Sequence, residues 1–413
     1  MKNLVILGAG SAGTIMANHL SKKLKKTEWN ITIVDQHEKH YYQPGFLFLP
    51  FDIYNEEQCF KTQKDYLPKS IRHIQTEIEL IKAEEKKITL ADGTILNYDL
   101  LIIATGARIA PEEVDGMKGA EWHKSVFDFY TFEGARNLRD KLRDWNGGKL
   151  VIHLTEMPIK CPVAPLEFAF LADAYFQKKG IRDKVEIMYV TPLDGAFTKP
   201  KAAAKLDHFL TDKKINLIPD FAIAKVDNDN KKIVSWDDKE VDFDLLVTVP
   251  TNMGDDLILR SGLGDDLNFV PTHKHTLQSE AHEDIFVIGD ATNVPASKAG
   301  SVAHFQAEVL TENILRHING VPLKEAFDGH ANCFVETGFD KAMLIDFNYD
   351  TEPLPGVFPF KGIGPLKLLE ENKVNHWGKL GFRWMYWNLL MKGKKIPFIT
   401  PEMQTAGKEL INA

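Results

Sequence analysis

Two groups of residues in this 413-residue chain have the types and spacing to do chemistry. The first is Gly8-Ala9-Gly10-Ser11-Ala12-Gly13, a G-x-G-x-x-G, followed 22 residues beyond Gly13 by Asp35. Gly8 permits a tight turn, Gly10 lets backbone approach a pyrophosphate, and Gly13 lets a helix pack close to a strand. The helix that follows offers free N–H groups to phosphates, and Asp35 offers a carboxylate to ribose hydroxyls. The second group is Cys161 and Cys333, 172 residues apart, so only the fold can bring them together. The commonest fate of a free cysteine is a small buried hydrophobe, and that reading stands for each. The third cysteine, Cys59, reads as structural. No pair has C-x-x-C spacing, which argues against structural zinc, haem attachment and a thioredoxin motif, and no metal is expected.

The elements needed to position these residues are legible. Lys2 to Leu7 is a short apolar strand, Ile15 to Leu24 has helical periodicity, and Ile31 to Val34 is a second strand. Residues 51–73 are mixed, with one short helix. Ile74 to Ile81, Lys87 to Leu90 and Thr94 to Tyr98 read as a meander around the turn Asp92-Gly93. Asp99 to Ile103 is a buried strand ending at Ala104-Thr105-Gly106. A second unit alternates helices (Gly134 to Asp144, Pro165 to Lys179, Ala202 to Lys213) with strands (Lys149 to Leu154, Val185 to Val190, Ile215 to Ile218, Leu245 to Val249). Such alternation predicts doubly wound parallel sheets with right-handed crossovers.

Ile285 to Ile288 is a further strand, ending at Gly289-Asp290 and leading through Ser297-Lys298-Ala299-Gly300 into a helix from Val302 to Ile318. Asp290 alone reads equally as a turn or cap residue. Together with the first glycine loop and Thr105-Gly106 it points to FAD. The expected fold is α/β, with two Rossmann-like domains and a C-terminal region. The boundaries are 1–110 with 285–326 for a discontinuous FAD-binding domain, 111–284 for the second domain, and 327–413 for the third region. That region holds strands from Cys333 to Val335 and Ala342 to Tyr349 with a turn at Gly338. It ends in Asn375 to Met391, where Trp377, Trp384 and Trp387 are interleaved with Lys379 and Arg383. Such a helix suits a membrane-surface anchor, or a core or dimer interface.

Composition bounds the partners. The net charge of −8 gives no reason to expect nucleic acid. From Lys361 onward nine Lys/Arg face four Asp/Glu, a net +5 that leaves −13 on the preceding residues, a pointer to an anionic surface. No run of 18 apolar residues occurs, so no transmembrane helix is expected. The first strand begins at once, so no signal peptide is expected. The localisation expected is peripheral membrane.

The second α/β unit selects the chemistry. A pyridine-nucleotide site needs its own glycine loop after the strand Leu150 to Leu154. The chain instead reads Thr155-Glu156-Met157-Pro158-Ile159-Lys160-Cys161-Pro162-Val163-Ala164-Pro165, with no glycine. Backbone cannot approach a pyrophosphate there, so NAD(P)H binding is not expected. A small, thiol-reactive electron donor fits better.

These motifs resemble the sulfide:quinone oxidoreductase family of two-dinucleotide flavoproteins over essentially the whole chain. The resemblance rests on Gly8-x-Gly10-x-x-Gly13, Tyr42-x-Pro44, Ala104-Thr105-Gly106, Cys161 to Pro165, Gly289-Asp290-Ala291, Ser297 to Gly300, and Cys333 to Gly338 followed by Met343 to Tyr349. It implies oxidation of sulfide to sulfane sulfur or polysulfide through a Cys161/Cys333 pair joined by a sulfane bridge or disulfide, with electrons passed through FAD to a membrane quinone. It implies cofactor contacts from Gly8, Gly10, Ser11, Ala12, Gly13, Asp35, Gln36, Pro44, Ile78, Thr105, Gly106, Gly289, Asp290, Lys298 and Gly300. Glu167 and Lys298 are candidates for proton transfer or flavin tuning, although Glu167 serves equally as a helix N-terminal charge. Lys160 is a candidate for lowering the Cys161 pKa or a solvated side chain. Phe334 and Tyr349 are candidates for a quinone wall. Many bacterial family members carry a third cysteine where this chain has His123 to Phe127, so the pattern is closer to the two-cysteine branch and the FAD is expected to be non-covalent. A homo-oligomer is expected. The competing readings are a type II NADH:quinone oxidoreductase and a non-catalytic flavin-binding or persulfide-carrier protein.

Overall fold

A computed structural model describes residues 1–360, 362–397 and 399–409. Lys361 and residues 410–413, counted above in the basic tail, lie outside the described residues. Helices α1 (Ser11–Lys23), α2 (Phe132–Asp144), α3 (Ala164–Lys179), α4 (Pro200–Asp212), α5 (Asp256–Arg260), α6 (Gly300–Ile318) and α7 (Lys373–Asn388) surround two parallel sheets and one largely antiparallel sheet.

The first sheet has the strand order Ile285–Val287, Leu100–Ile103, Lys2–Leu7, Trp29–Asp35, Arg72–Gln75, all parallel. Its central strands are aliphatic and buried on both faces, as a parallel sheet covered by helices requires. The outer strand corrects the sequence reading. The sequence pattern places Ile74 in the meander, but Arg72–Gln75 pairs with Thr32–Asp35, and the meander starts only at Ile78. A continuous run of strand-forming residues thus serves two sheets, divided at Thr76-Glu77.

The second sheet runs Val126–Phe127, Leu245–Val249, Gly148–Leu154, Val185–Val190, Asn216–Ile218, again all parallel. Helix α3 is buried from Ala164 through Asp173 and is capped by Gly180 at φ +75°, a left-handed C-cap.

The third sheet is a pair of hairpins, Ala331–Gly338 with Lys341–Phe347 and Gly356–Phe360 with Gly364–Leu368. The first hairpin turns at Phe339-Asp340, both with positive φ, one residue beyond the expected Gly338. It lies against α3: a Cβ at Gly338 would meet the Phe170 carbonyl oxygen at 2.9 Å. The C-terminal segment ties down its far end. Lys408 Nζ sits 2.8 Å from Asp346 Oδ2, with both side chains fully buried. His330 Nε2 lies 2.9 Å from Asp346 Oδ1, and its ring stacks on Phe305 at 4.2 Å. Removing one partner of a buried pair leaves an uncompensated charge, so Lys408→Met is expected to destabilise the chain by about 3–5 kcal/mol. A clearly lowered thermal unfolding midpoint is the measurement.

Candidate active site

The glycine loop has the geometry its sequence demands. Gly8 has φ +93°, and a Cβ there would lie 2.5 Å from the Ala104 carbonyl oxygen. A Cβ on Gly13 would lie 1.9 Å from the Gly8 carbonyl oxygen, so helix α1 can approach the first strand only with glycine there. At Gly10, Gly106 and Gly300, by contrast, a Cβ would meet nothing within 4 Å. These three border open space. Neither α1 nor α6 has a side-chain cap, so the first N–H groups of both helices are left for another acceptor.

Asp35 ends the second strand and accepts from Ala9 N–H at 2.6 Å and His37 N–H at 2.8 Å. Burial pushes its pKa up, but the His37 side chain and these N–H groups outweigh that and hold it below the usual carboxylate value. Gln36 and Pro44 are exposed near it in sequence. Ile78 opens the first meander strand, and its carbonyl is taken by Arg260. Ala12 is buried at the start of α1, and a Cβ at Gly289 (φ +73°) would lie 3.1 Å from the Ala12 Cβ, which brings the two loops together. The Thr105 hydroxyl is buried without a hydrogen-bond partner. An unpartnered hydroxyl, three open glycines and two uncapped helix N-termini beside a ribose-type carboxylate fit a bound dinucleotide.

Lys298 does not extend as a free cation. Its Nζ donates to the carbonyls of Asp290 (3.0 Å) and Thr292 (2.6 Å) and lies 3.7 Å from the Phe269 ring centroid. Burial lowers its pKa to about 8. Asp290 is pushed up by burial, against the cations Lys298 and Lys160. The Lys298 carbonyl accepts the Cys161 N–H at 2.8 Å. Lys160 is half-buried: burial lowers its pKa, while its Nζ reaches Gln43 Oε1 at 3.4 Å in a contact open to solvent.

Cys161 occupies the left-handed region at φ +47°, a conformation costing a non-glycine residue about 1–3 kcal/mol. Three contacts hold it there: its N–H to Lys298, and its carbonyl to the Ala164 N–H (2.9 Å) and the Tyr130 hydroxyl (3.3 Å). The loop from Thr155 to Val163 enters α3 where a second glycine loop would stand. Cys333 lies on the Ala331–Gly338 strand, and Ser301 at the start of α6 hydrogen-bonds the neighbouring Asn332 carbonyl at 2.9 Å. Both thiols are free and half-buried. Burial pushes Cys161 up to about 12, with the Glu167 charge adding to the rise and Lys379 opposing it. Burial raises Cys333 too, followed by the charge of Cys161. The fold therefore brings the two cysteines within electrostatic reach. Cys59 lies apart, fully buried under Gly45 and Tyr54.

Glu167, in the first turn of α3, is fully buried and does not serve as a solvated cap charge. It is paired with Lys379 of α7, and burial raises its pKa to about 6 against the pull of that ammonium. Phe334 and Tyr349 do not share a wall. Phe334 packs beneath α7 with Leu344 and Leu366, while Tyr349 packs on His275 and Phe327 and donates to the Lys274 carbonyl.

Helix α7 departs from the sequence reading. Its aromatic and basic residues divide between two faces. Trp377 and Trp384 are exposed, at 65% and 62%, whereas Tyr386 and Trp387 are buried. The Tyr386 hydroxyl lies 2.6 Å from Ser11 Oγ and 2.6 Å from His40 Nε2, so α7 touches the glycine loop. Lys379 turns inward to the Glu167 carboxylate and the Phe334 carbonyl. Sequence reading did not single out Lys379, Glu336 and His376; the one available signal was Glu336, an acidic residue next to Phe334 and Val335 in a buried strand.

The family model described as pyridine nucleotide-disulphide oxidoreductase matches residues 2–307. The chain belongs to that family, and it is a flavoprotein oxidoreductase of the Rossmann type. Among curated relatives it is 28% identical to the mitochondrial sulfide:quinone oxidoreductase of Dictyostelium discoideum, over 97% of this chain and 90% of that protein. It is 25% identical to the mitochondrial sulfide:quinone oxidoreductase of Mus musculus, over 94% and 86%. Among solved structures, the sulfide:quinone oxidoreductase of Aquifex aeolicus superposes with a TM-score of 0.81 at 21% identity, covering 95% of this chain and 92% of that one.

Gly10→Ala separates cofactor from scaffold. The position has φ −67° and open space, so the unfolding midpoint of the flavin-free protein should not move, while flavin retained through purification should fall sharply. Absorbance per protein and thermal unfolding together check it.

Proposed function

We propose that this protein oxidises sulfide and passes the electrons to a membrane quinone through Cys161 and Cys333. The observation that carries this is the loop before α3. It holds a strained cysteine against the Lys298 carbonyl, within electrostatic reach of a second cysteine, where a nicotinamide-binding family member needs glycines. The same loop weighs against NADH as donor.

FAD fits the cradle of Gly8, Gly10, Gly13, Asp35, Thr105, Gly106, Gly289, Asp290 and Gly300, held non-covalently, and when bound it supplies a two-electron acceptor that can be reoxidised by quinone. The cysteines do the sulfur chemistry. With the pair joined as a disulfide, hydrosulfide adds to the Cys161 sulfur, the S–S bond breaks, and Cys333 leaves as thiolate. A second hydrosulfide takes the outer sulfur from Cys161 as hydrodisulfide and leaves a Cys161 thiol. Closing the disulfide then releases two electrons and one proton. The balance is two HS⁻ giving HSS⁻, H⁺ and two electrons. Burial keeps the Cys161 thiol protonated at neutral pH, so that proton needs an acceptor.

Membrane contact falls to α7. Val374, Trp377 and Trp384 fall on one helical face and are exposed. Among the described residues no helix is long and apolar enough to cross a membrane, so this face lies at the headgroup level.

Anaerobic sulfide added to the flavin-loaded protein should bleach the flavin band, and a short-chain quinone should restore it. Cys161→Ser and Cys333→Ser should each abolish the bleaching, and NADH should leave the band unchanged. A sulfide-resistant spectrum, or bleaching that survives both substitutions, sinks the reading. Trp377→Ala with Trp384→Ala should release the protein from lipid vesicles in a flotation assay while turnover with a water-soluble quinone persists.

A further inference from the structure

Helix α7 places a cation beside the cysteines and a route of ionisable groups behind it. Lys379 Nζ lies on the Glu167 carboxylate and donates to the Phe334 carbonyl at 3.0 Å. Glu167 Oε1 also accepts the Glu336 N–H at 2.7 Å, while Oε2 is buried with no hydrogen-bond partner. The Glu336 side chain, 1% exposed, meets His376 Nδ1 at 2.9 Å. His376 Nε2 is 4.0 Å from Asp340, whose side chain is 82% exposed at the hairpin turn. The contacts run from Lys379 to Glu167, from Glu336 to His376 and from His376 to Asp340, with the Glu336 N–H on Glu167 joining the two parts and Cys161 within electrostatic reach of Glu167.

A buried ion-pair network fastening α7 to α3 accounts for the Glu167–Lys379 contact. It leaves two features unexplained: the open Oε2, and the continuation through a second buried carboxylate to an imidazole that opens on solvent. The chemistry of the preceding section gives both a use, because each turnover leaves one proton at a buried thiol.

We propose that Lys379 both holds Glu167 ready to take the Cys161 proton and passes it on, and that Glu336 and His376 carry this proton out at Asp340. The inference rests on the sulfide-oxidising function proposed above. In the step, the Cys161 S–H bond breaks, its electron pair remains on sulfur as the disulfide closes, and the proton bonds to Glu167 Oε2. Lys379, three donors on a flexible four-carbon stem, swings one N–H to Glu336 and regains a proton from Glu167. His376 takes a proton at Nδ1 and gives one up at Nε2 to solvent beside Asp340, so one enters and one leaves.

The groups facing Glu167 are Cys161 from its own loop, Cys333 and Glu336 from the hairpin, Lys379 from α7, and the Tyr130 hydroxyl. Those facing His376 are Glu336, Asp340 and Lys379. Glu167 titrates at about 6, so its carboxylate is available above that pH and lost below it. Without Lys379 only the Glu336 N–H is left to oppose the effect of burial, and the value moves up.

The test uses flavin-loaded Lys379→Met, His376→Gly and His376→Gln proteins, with unfolding midpoints recorded. Stopped-flow bleaching by sulfide is followed across pH, and Cys161 alkylation by iodoacetamide is followed by mass spectrometry. Lys379→Met should slow bleaching by about 10²-fold. Its acid limb should move up by about a pH unit or more, and the midpoint of Cys161 alkylation should rise. His376→Gly should slow bleaching and be rescued by added imidazole; His376→Gln, which keeps the packing, should be slow without rescue. A Lys379→Met protein with the wild-type rate, acid limb and alkylation midpoint overturns the inference, as do histidine variants at full speed or a His376→Gly that imidazole does not help. A wild-type flavin untouched by sulfide brings down the function and this inference together. A wild type that bleaches beside unchanged variants brings down the inference alone.

Discussion

A backbone hydrogen bond from the Cys161 N–H to the Lys298 carbonyl at 2.8 Å joins the two halves of the site, beside the ribbon in which Ala107–Ile109 pairs with Asn252–Gly254 between the segments that leave the two parallel sheets. In open α/β sheets the loops beyond the carboxyl ends of the strands form the binding crevice. Here the loop after Gly148–Leu154 and the loop after Ile285–Val287 come from different sheets and are laced edge to edge. The left-handed conformation of Cys161 is stable only because that contact and those to Ala164 and Tyr130 over-determine it. The lacing sets a thiol against the start of α6, and Ser301 fastens the Cys333 strand to the same helix end. Cofactor cradle and sulfur chemistry thus share one corner of the molecule.

The third region closes this corner through charge. Glu167 is fully buried, and a lone buried carboxylate is costly, so α7 must bring Lys379 to it. The same helix sends Tyr386 to the glycine loop and turns Trp377 and Trp384 outward. It therefore reports on three places at once: the pyrophosphate loop, the cysteine pair and the outer surface.

Much of this was written in local sequence. Gly8, Gly10, Gly13 and Asp35 obey short-range rules, because a turn, a close approach and a strand end are fixed by residues a few positions away. The long helices and buried strands likewise have unmistakable periodicity. Three things escaped. The Gly356–Phe360 and Gly364–Leu368 hairpin contains Pro359 and Pro365, residues that argue against a strand unless it lies at an edge or an irregularity. The outer strand at Arg72–Gln75 was merged with the meander, since propensity cannot show that the chain changes sheets at Thr76. Lys379 read as one more basic residue of an interfacial helix, because its partner Glu167 lies 212 positions away. Periodicity separates helix faces, but it does not say which lysine turns inward.

The Ile285–Val287 strand has a consequence for synthesis. It completes the first sheet by pairing with Leu100–Ile103, about which the chain must wait while the whole second sheet is made. At about 5–20 residues per second, a nascent chain spends tens of seconds or less with that pairing edge uncovered. The edge is four aliphatic residues with open hydrogen-bonding groups, the kind that joins a neighbouring chain. The cradle therefore cannot close around its cofactor until three-quarters of the polypeptide has left the ribosome, and the nascent protein needs chaperone cover or early helix packing over exactly that interval.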